Sequence, residues 1–336
     1  METNNFERKQ GVMKVYLCGG TGVNIAGAIK AMSASPDSIT GMANIELVLI
    51  DTSNANLTNA NAKDSVYLFK GIDGGGKHRG DIHPVVSPKA FEILEKFPAG
   101  DMNVVISSLG GGSGSVIAPC IMRELLKQNK LALAVGITNN DSKIEVENTV
   151  DTMSSYEGLA RTLKKCVVLA PFHNNNSADF ADVNTLVANL VMLLAVLSSR
   201  QNHGLDSADL VNWINFDAVT DVSPRLMGLM HATNKTEIGD DIHPITVATL
   251  GNHGDDVRPS WVPDYQAVGY IAEGCDAITD SPAHFVVADG VVQRLYERLA
   301  SDAADLARRT SGRSLSKQLD TQAAGDDGMV VRRRRA

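Results

Sequence analysis

The sequence has little cysteine, and none of it stands in a motif. Cys18, Cys120, Cys166 and Cys275 are far apart and form no C-x-x-C pair, which excludes a disulfide framework and a zinc knuckle and fits a reducing compartment. Long apolar runs are also missing. Residues 1 to 12 are polar, and no later stretch is long and uninterrupted enough to cross a bilayer. Positive charge is in deficit, with 31 Lys and Arg against 39 Asp and Glu and a formal net charge of -8. The surface as a whole therefore repels nucleic acid and anionic lipid. The dense basic run is confined to Arg332 to Arg335. The closest histidine pair, His78 and His83, lies in a glycine-rich loop without a matching acid cluster, so no metal site made of protein ligands is expected. No internal repeat is found. These absences predict a soluble, cytoplasmic protein without a membrane segment.

What is present is enough apolar material, 43% over 336 residues, to build a sizeable core in two domains. In the N-terminal half, short apolar runs alternate with helical patterns. Strands are predicted at 14–18, 45–50, 66–69, 103–107, 131–137 and 166–170, and helices at 25–33, 88–96, 116–128 and 145–163. Such alternation predicts an α/β fold with a doubly wound, mostly parallel sheet whose ligands sit at the carboxyl ends of the strands. From 179 to 199 the residues Phe180, Val183, Leu186, Val187, Leu190, Val191, Leu194 and Leu197 recur at helical steps with more apolar residues between. A helix apolar almost all round is a buried one. Beyond it, strands at 245–250, 267–271 and 284–288 suggest a smaller mixed or antiparallel unit, and 291–309 reads as a second long helix.

Two glycine-rich loops each follow a strand and precede a helix: Cys18-Gly19-Gly20-Thr21-Gly22-Val23-Asn24, and Leu109-Gly110-Gly111-Gly112-Ser113-Gly114-Ser115. Glycine lets backbone N–H groups crowd around an anion, and the following helix N-terminus adds a favourable dipole. Neither loop is a Walker A sequence, and Gly74-Gly75-Gly76-Lys77 is followed by His78 where that motif needs a magnesium-binding hydroxyl. Gly20, Gly22 and Asp51 fit part of a dinucleotide fingerprint, but the third glycine, Gly27, comes too late.

The run Gly110-Gly111-Gly112-Ser113-Gly114-Ser115-Val116 resembles the GGGTG-S/T-G signature of the tubulin/FtsZ superfamily, with serine for threonine and Val116 for the last glycine. Other loops follow in that family's order. The segment 19–24 resembles its first phosphate loop, Asp51-Thr52-Ser53-Asn54 its second, and the glycine-rich stretch 71–80, with Gly74 and Gly75, its third, which senses the γ-phosphate. The resemblance implies a GTP/GDP site, with Phe180 stacking on the base and Asn184, one turn later, hydrogen-bonding the guanine edge. Asn174, Asn175 or Asn176 would supply a second base contact, and Glu145 or Asp141 would bind the ribose. Magnesium would be held through the nucleotide phosphates. The segment Asn215-Phe216-Asp217-Ala218-Val219-Thr220-Asp221 resembles the family's N-x-D-x-x-[DE] loop, with Asp221 one residue late. That loop enters the nucleotide site of the next subunit, so Asn215, Asp217 and Asp221 are the candidate catalytic residues.

The implied architecture is an N-terminal tail (1–12), a GTP-binding domain (13–178), a central core helix (179–201), a smaller α+β C-terminal domain (202–290) carrying the catalytic loop 213–222, a C-terminal helix (291–320) and a flexible tail (321–336). The short loops and compact C-terminal region resemble most the tubulin-like proteins of large bacteriophages, of the PhuZ or TubZ type. Their implied partners are further copies of the chain in a head-to-tail homopolymer, with phage DNA or a capsid as indirect cargo in the host cytoplasm. Two other functions fit the same loops: an NAD-dependent oxidoreductase built on Gly20, Gly22 and Asp51, and a nucleotide-binding scaffold that does not hydrolyse.

Overall fold

The structure, a computed structural model, describes residues 9–33, 41–57, 64–139, 141–174, 180–254, 256–257, 259, 261–273, 275 and 281–311. The chain runs β1 (Val12–Cys18), α1 (Gly19–Ser33), β2 (Asn44–Asp51), β3 (Ser65–Leu68), α2 (Arg79–Val86), α3 (Ala90–Lys96), β4 (Met102–Ser108), α4 (Gly114–Lys127), β5 (Ala132–Asn139), α5 (Lys143–Leu163), β6 (Val167–Asn174), α6 (Phe180–Leu197), α7 (Ser207–Ile214), β7 (Leu226–Ala232), α8 (Lys235–Ile238), β8 (Thr246–Gly251), β9 (Tyr265–Tyr270), β10 (Ala283–Ala288) and α9 (Asp289–Ser311). Short 3-10 turns occupy Asn54–Leu57, Ser87–Lys89 and Phe216–Ala218.

The strands form one sheet in the order β3-β2-β1-β4-β5-β6-β7-β10-β8-β9. From β3 to β6 every pair is parallel, as the alternation with helices requires. The C-terminal strands continue this sheet: β7 joins β6 in parallel through Val167 to Leu169, β10 is antiparallel to both β7 and β8, and β8 runs parallel to β9. Side chains alternate between the two faces, so β1 sends Met13, Val15 and Leu17 into one core and Tyr16 and Cys18 into the other. The first core lies under α1, α6 and α7, the second under α2 to α5 and α9.

Helix α6 is buried as expected along Val187, Ala188, Val191 and Leu194 to Leu197, but Leu186 is 55% exposed. Helix α1 starts earlier than its apolar pattern, because the glycine loop itself forms its first turn. The loop 71–80 ends in α2, whose eight residues carry too few apolar side chains to betray a helix. The expected C-terminal tail, and the expected end of α9 beyond Ser311, lie outside the described residues.

Strand β7, Leu-Met-Gly-Leu-Met-His-Ala, was not expected from the sequence, where Gly228 interrupts the apolar run. The glycine has a packing cause. A β-carbon there would lie 2.3 Å from Val291 Cβ and 3.1 Å from the Val292 backbone N, so α9 sits directly on the strand. Gly228→Ala is expected to destabilise the fold by about 1–3 kcal/mol in denaturant unfolding. Adding Val291→Ala, which removes the Cγ1 that the new β-carbon would meet at 2.4 Å, should cost less in that background than in the parent; strictly additive losses would remove this explanation.

Candidate nucleotide site

Strands β1 and β4 are parallel neighbours, with Cys18 opposite Ser107, and each ends in a glycine turn that leaves no room for side chains. A β-carbon on Gly19, whose φ is +74°, would lie 2.8 Å from Gly114 N; one on Gly114 would lie 2.6 Å from the Cys18 carbonyl oxygen; one on Gly22 would lie 2.7 Å from Leu17 C. Helices α1 and α4 therefore begin backbone against backbone. Their first-turn N–H groups lack intrahelical acceptors and carry the positive ends of two dipoles to one sheet edge. Neither first turn contains an acidic residue to neutralise it. An anion such as phosphate is the partner this cradle fits.

The other loops close on it. Asp51 is wholly buried, and its carboxylate accepts from Thr52 N at 2.6 Å, Ser53 N at 3.2 Å and Asn56 Nδ2 at 2.7 Å. It thereby shapes its own loop. Thr52 Oγ1 then meets Ser113 Oγ at 2.5 Å, tying the second loop to the fourth. Ser115 is likewise turned inward, donating to the Gly111 carbonyl at 2.5 Å. Asn24, by contrast, is exposed on α1, with Gly20 and Thr21 half-buried before it.

The third loop lies directly on the glycine cradle. A β-carbon on Gly112 would stand 2.7 Å from Lys77 N, and one on Gly75 would stand 2.9 Å from Ser113 N; Gly74 adopts a φ of +82°. Asn148 Nδ2 fastens the two by donating to the Lys77 carbonyl at 2.9 Å and the Gly110 carbonyl at 3.2 Å. Arg79 adds a second clamp. Its guanidinium donates to the Ser115 carbonyl at 3.1 Å, to the Asn148 carbonyl at 3.3 Å, to Thr152 Oγ1 and to Ser155 Oγ at 3.1 Å. Burial lowers its pKa, which nearby Asp151 partly offsets, and a guanidinium stays charged at neutral pH. Burial and then the charge of Asp51 raise the Cys18 thiol, leaving it inert beside the cradle. Asn56 and Asn148 escaped the sequence reading, and Lys77 and Arg79 fell within the stretch 71–80 without a role of their own, since single polar residues at irregular spacing form no motif.

Glu145 stands near the start of α5, close to Gly110. Its carboxylate pairs with Lys77 Nζ at 2.9 Å and accepts from Ser142 Oγ at 2.7 Å. Asp141 is exposed and accepts from Asn139 Nδ2 at 2.9 Å. Asn174 ends β6 opposite Asn139, at the same sheet edge as the cradle. Asn184 is half-buried on the first turns of α6. Phe180 begins that helix, but its side chain, together with Asn175 and Asn176, lies outside the described residues. Among the described residues, no group of three or more His, Cys, Asp or Glu could hold a metal ion, and no helix is long and apolar enough to cross a membrane.

The three catalytic candidates lie elsewhere. Helix α6, 18 residues long, rises about 27 Å and carries the chain from the cradle edge to the opposite one, where Gly11 N donates to the Ser199 carbonyl at 2.9 Å just before β1. There Asn215 ends α7, Asp217 lies in the 3-10 turn that follows, and both Asp217 and Asp221 are exposed. Cys166 Sγ donates to Asp217 Oδ1 at 3.0 Å; burial, and then Asp217 itself, keep this thiol protonated by raising its pKa. Because Cys166 immediately precedes the eight-residue strand β6, Asp217 is separated from the cradle edge by the height of the sheet, about 25 Å.

Residues 12–182 match the model of the Tubulin/FtsZ family, GTPase domain, and residues 205–291 match that of the phage tubulin-like protein, C-terminal domain. A phage tubulin-like protein of Pseudomonas phage PhiPA3 is 30% identical over 322 residues, 95% of this chain and 98% of the relative. Another, from Pseudomonas phage 201phi2-1, is 26% identical over 327 residues, covering 95% of this chain and 100% of the relative. The solved protofilament of TubZ from bacteriophage PhiKZ has the same fold, with a TM-score of 0.82 at 25% identity over 95% of this chain and 99% of that one. The chain belongs to the tubulin/FtsZ family of GTPases, among its phage tubulin-like proteins.

Proposed function

We propose that this chain polymerises head to tail in a GTP-dependent manner and hydrolyses GTP at the contact between successive subunits. One observation carries the proposal: the phosphate cradle and the loop bearing Asn215, Asp217 and Asp221 sit at opposite edges of one sheet, so no single chain brings them together. Stacking copies along the strand direction brings the exposed acids of one subunit onto the cradle of the next. The solved relative in a protofilament supports such stacking.

In this arrangement the N–H groups opening α1 and α4 hold the phosphates of GTP, while Asn174 and Asn184 would read the guanine edge and Phe180 would stack on the base. Magnesium would be bound through phosphate oxygens. Its chemistry is to neutralise charge developing on the β- and γ-phosphates. Asp217 and Asp221 of the incoming subunit orient a water for in-line attack on the γ-phosphorus, and Asn215 shapes their loop. The water oxygen bonds to phosphorus as the bond to the β–γ bridging oxygen breaks, and GDP and phosphate leave. Positioning and charge stabilisation supply most of the acceleration in such a reaction, so a site divided between subunits works fastest when assembled.

An NAD-dependent oxidoreductase is disfavoured because the Asp51 carboxylate, which would have to bind ribose, is buried and already holds three donors. In an infected bacterial cytoplasm, dynamic filaments of this kind would position phage DNA or capsids. With a net charge of -8, contact with the cargo would be indirect.

Light scattering is expected to rise with GTP and with a slowly hydrolysed GTP analogue, but not with GDP or NAD. Absence of GTP-dependent assembly would overturn the proposal, and assembly without phosphate release would leave a scaffold. Asp217→Ala and Asp221→Ala should still bind GTP and assemble, with phosphate release falling by about 10²-fold in at least one of them. Parental rates in both would remove the catalytic assignment. Chelating magnesium should slow phosphate release in the parental protein without unfolding it; circular dichroism distinguishes the two.

A further inference from the structure

Helix α6 departs from complete burial at Leu186, which is 55% exposed, and the sheet forks beside it. Strands β6 and β7 pair only through Val167 to Leu169 and Leu226 to Gly228. Beyond those residues β6 stays with β5 as far as Asn174, and β7 stays with β10 as far as Ala232. The fork holds a cavity of about 890 Å³, with Ala170 to His173 on one side and Leu229 to His231 on the other. That is within the range of small-molecule sites, roughly 300–1,000 Å³. None of the residues assigned to the nucleotide lines it, so it is a separate site.

Two helices face the fork with the same spacing. From α6 come Leu186, Asn189, Leu190 and Leu193, and from α9 come Val291, Arg294, Leu295 and Arg298, each set at steps of three, one and three residues that make one helical face. The walls are therefore mostly aliphatic, and such a cleft standing in water gains by taking up an apolar body. Its charges have one sign. Among the described residues that line the cavity are two arginines and two histidines but no Asp or Glu, in a chain whose net charge is -8. Arg294 is paired with Asp241, which is not part of the lining. Arg298, one turn on and exposed, has no ion pair among the described residues. It lies close to His173: burial and then the charge of Arg298 lower the pKa of that imidazole, whose Nδ1 is 2.9 Å from Thr138 Oγ1. Across the fork, His231 Nε2 is buried without a hydrogen-bond partner, a group whose desolvation a ligand oxygen would offset.

We infer that this fork binds a small amphipathic carboxylate of the fatty-acid class, its alkyl chain between α6 and α9 and its carboxylate on Arg298. A guanidinium offers two parallel N–H groups in the geometry a carboxylate accepts. Because Arg298 is exposed, the head group keeps its contact with water while the chain leaves it. The site stands independently of the GTP reading, since it shares no residue with the phosphate cradle.

The test uses the full chain with laurate as the probe, below its micellar concentration, and dodecanol as the uncharged counterpart, both read by displacement of fluorescent anilinonaphthalene sulfonate. Laurate should bind saturably at one molecule per chain. Arg298→Ala should weaken it about tenfold while dodecanol affinity stays near the parental value. Leu186→Glu, which puts a like charge at the mouth, should also weaken laurate. Both substitutions are at exposed positions, so circular dichroism and the thermal midpoint should match the parent. Parental laurate affinity in both variants would overturn the site, because the fatty acid would then be held elsewhere on the chain. Equal losses of laurate and dodecanol in Arg298→Ala, or no saturable laurate binding by the parent, would also overturn the inference.

Discussion

The closeness of two backbones governs this molecule. Because β1 and β4 pair side by side and in parallel, the turns leaving them meet at Gly19 and Gly114, where not even a methyl group fits. That contact sets two helix N-termini next to each other at one sheet edge, and the other loops are shaped to it. Asp51 folds the second loop so that Thr52 reaches Ser113; Asn148 and Arg79 hold the third against Gly110 and Ser115. Most polar side chains around the cradle thus bind protein, leaving backbone N–H groups and few cations to meet a ligand. A site made of backbone is rigid, because its groups cannot change rotamer.

The second constraint is the height of the sheet. A parallel α/β layer puts every loop that follows a strand at one edge, and α6 must travel the full depth of the core before the chain reaches α7. Whatever follows α6 is consequently delivered to the far edge. The exposed acids Asp217 and Asp221 are there by topology, and the Cys166 thiol braces one of them against the foot of β6. Membership of the tubulin/FtsZ family and a phage relative solved as a protofilament accord with copies that stack along this axis. In such a stack, the cradle edge of one subunit faces the edge that carries Asp217 and Asp221 in the next.

Much of this was legible in the amino-acid order. Apolar runs of the right length located nine of the ten strands among the described residues, because most of these strands are buried on both faces and so are apolar nearly throughout, and the dense periodicity of residues 179–199 announced α6. Gly110 to Gly114 marked the cradle because a dense glycine run between a strand and a helix is itself a pattern, although the backbone approaches that demand it, to Cys18, Lys77 and Glu145, are long-range. Strand β7 was not legible, since Gly228 is explained only by Val291, far along the chain on α9. Nor were the hydrogen bonds by which Asp51 and Ser115 hold the loops that contain them.

Sequence by itself therefore determined most of the elements, their order and the place of the glycine loops, because apolar periodicity and glycine runs are patterns within a few residues. Tertiary structure alone decided which groups share an edge. It joined the C-terminal strands to the same sheet, brought Lys77, Glu145 and Asn148 onto the cradle, and set Asp217 at the opposite end. The reason is that parallel pairing and helix length act over the whole sheet, and no local pattern encodes a distance of that size.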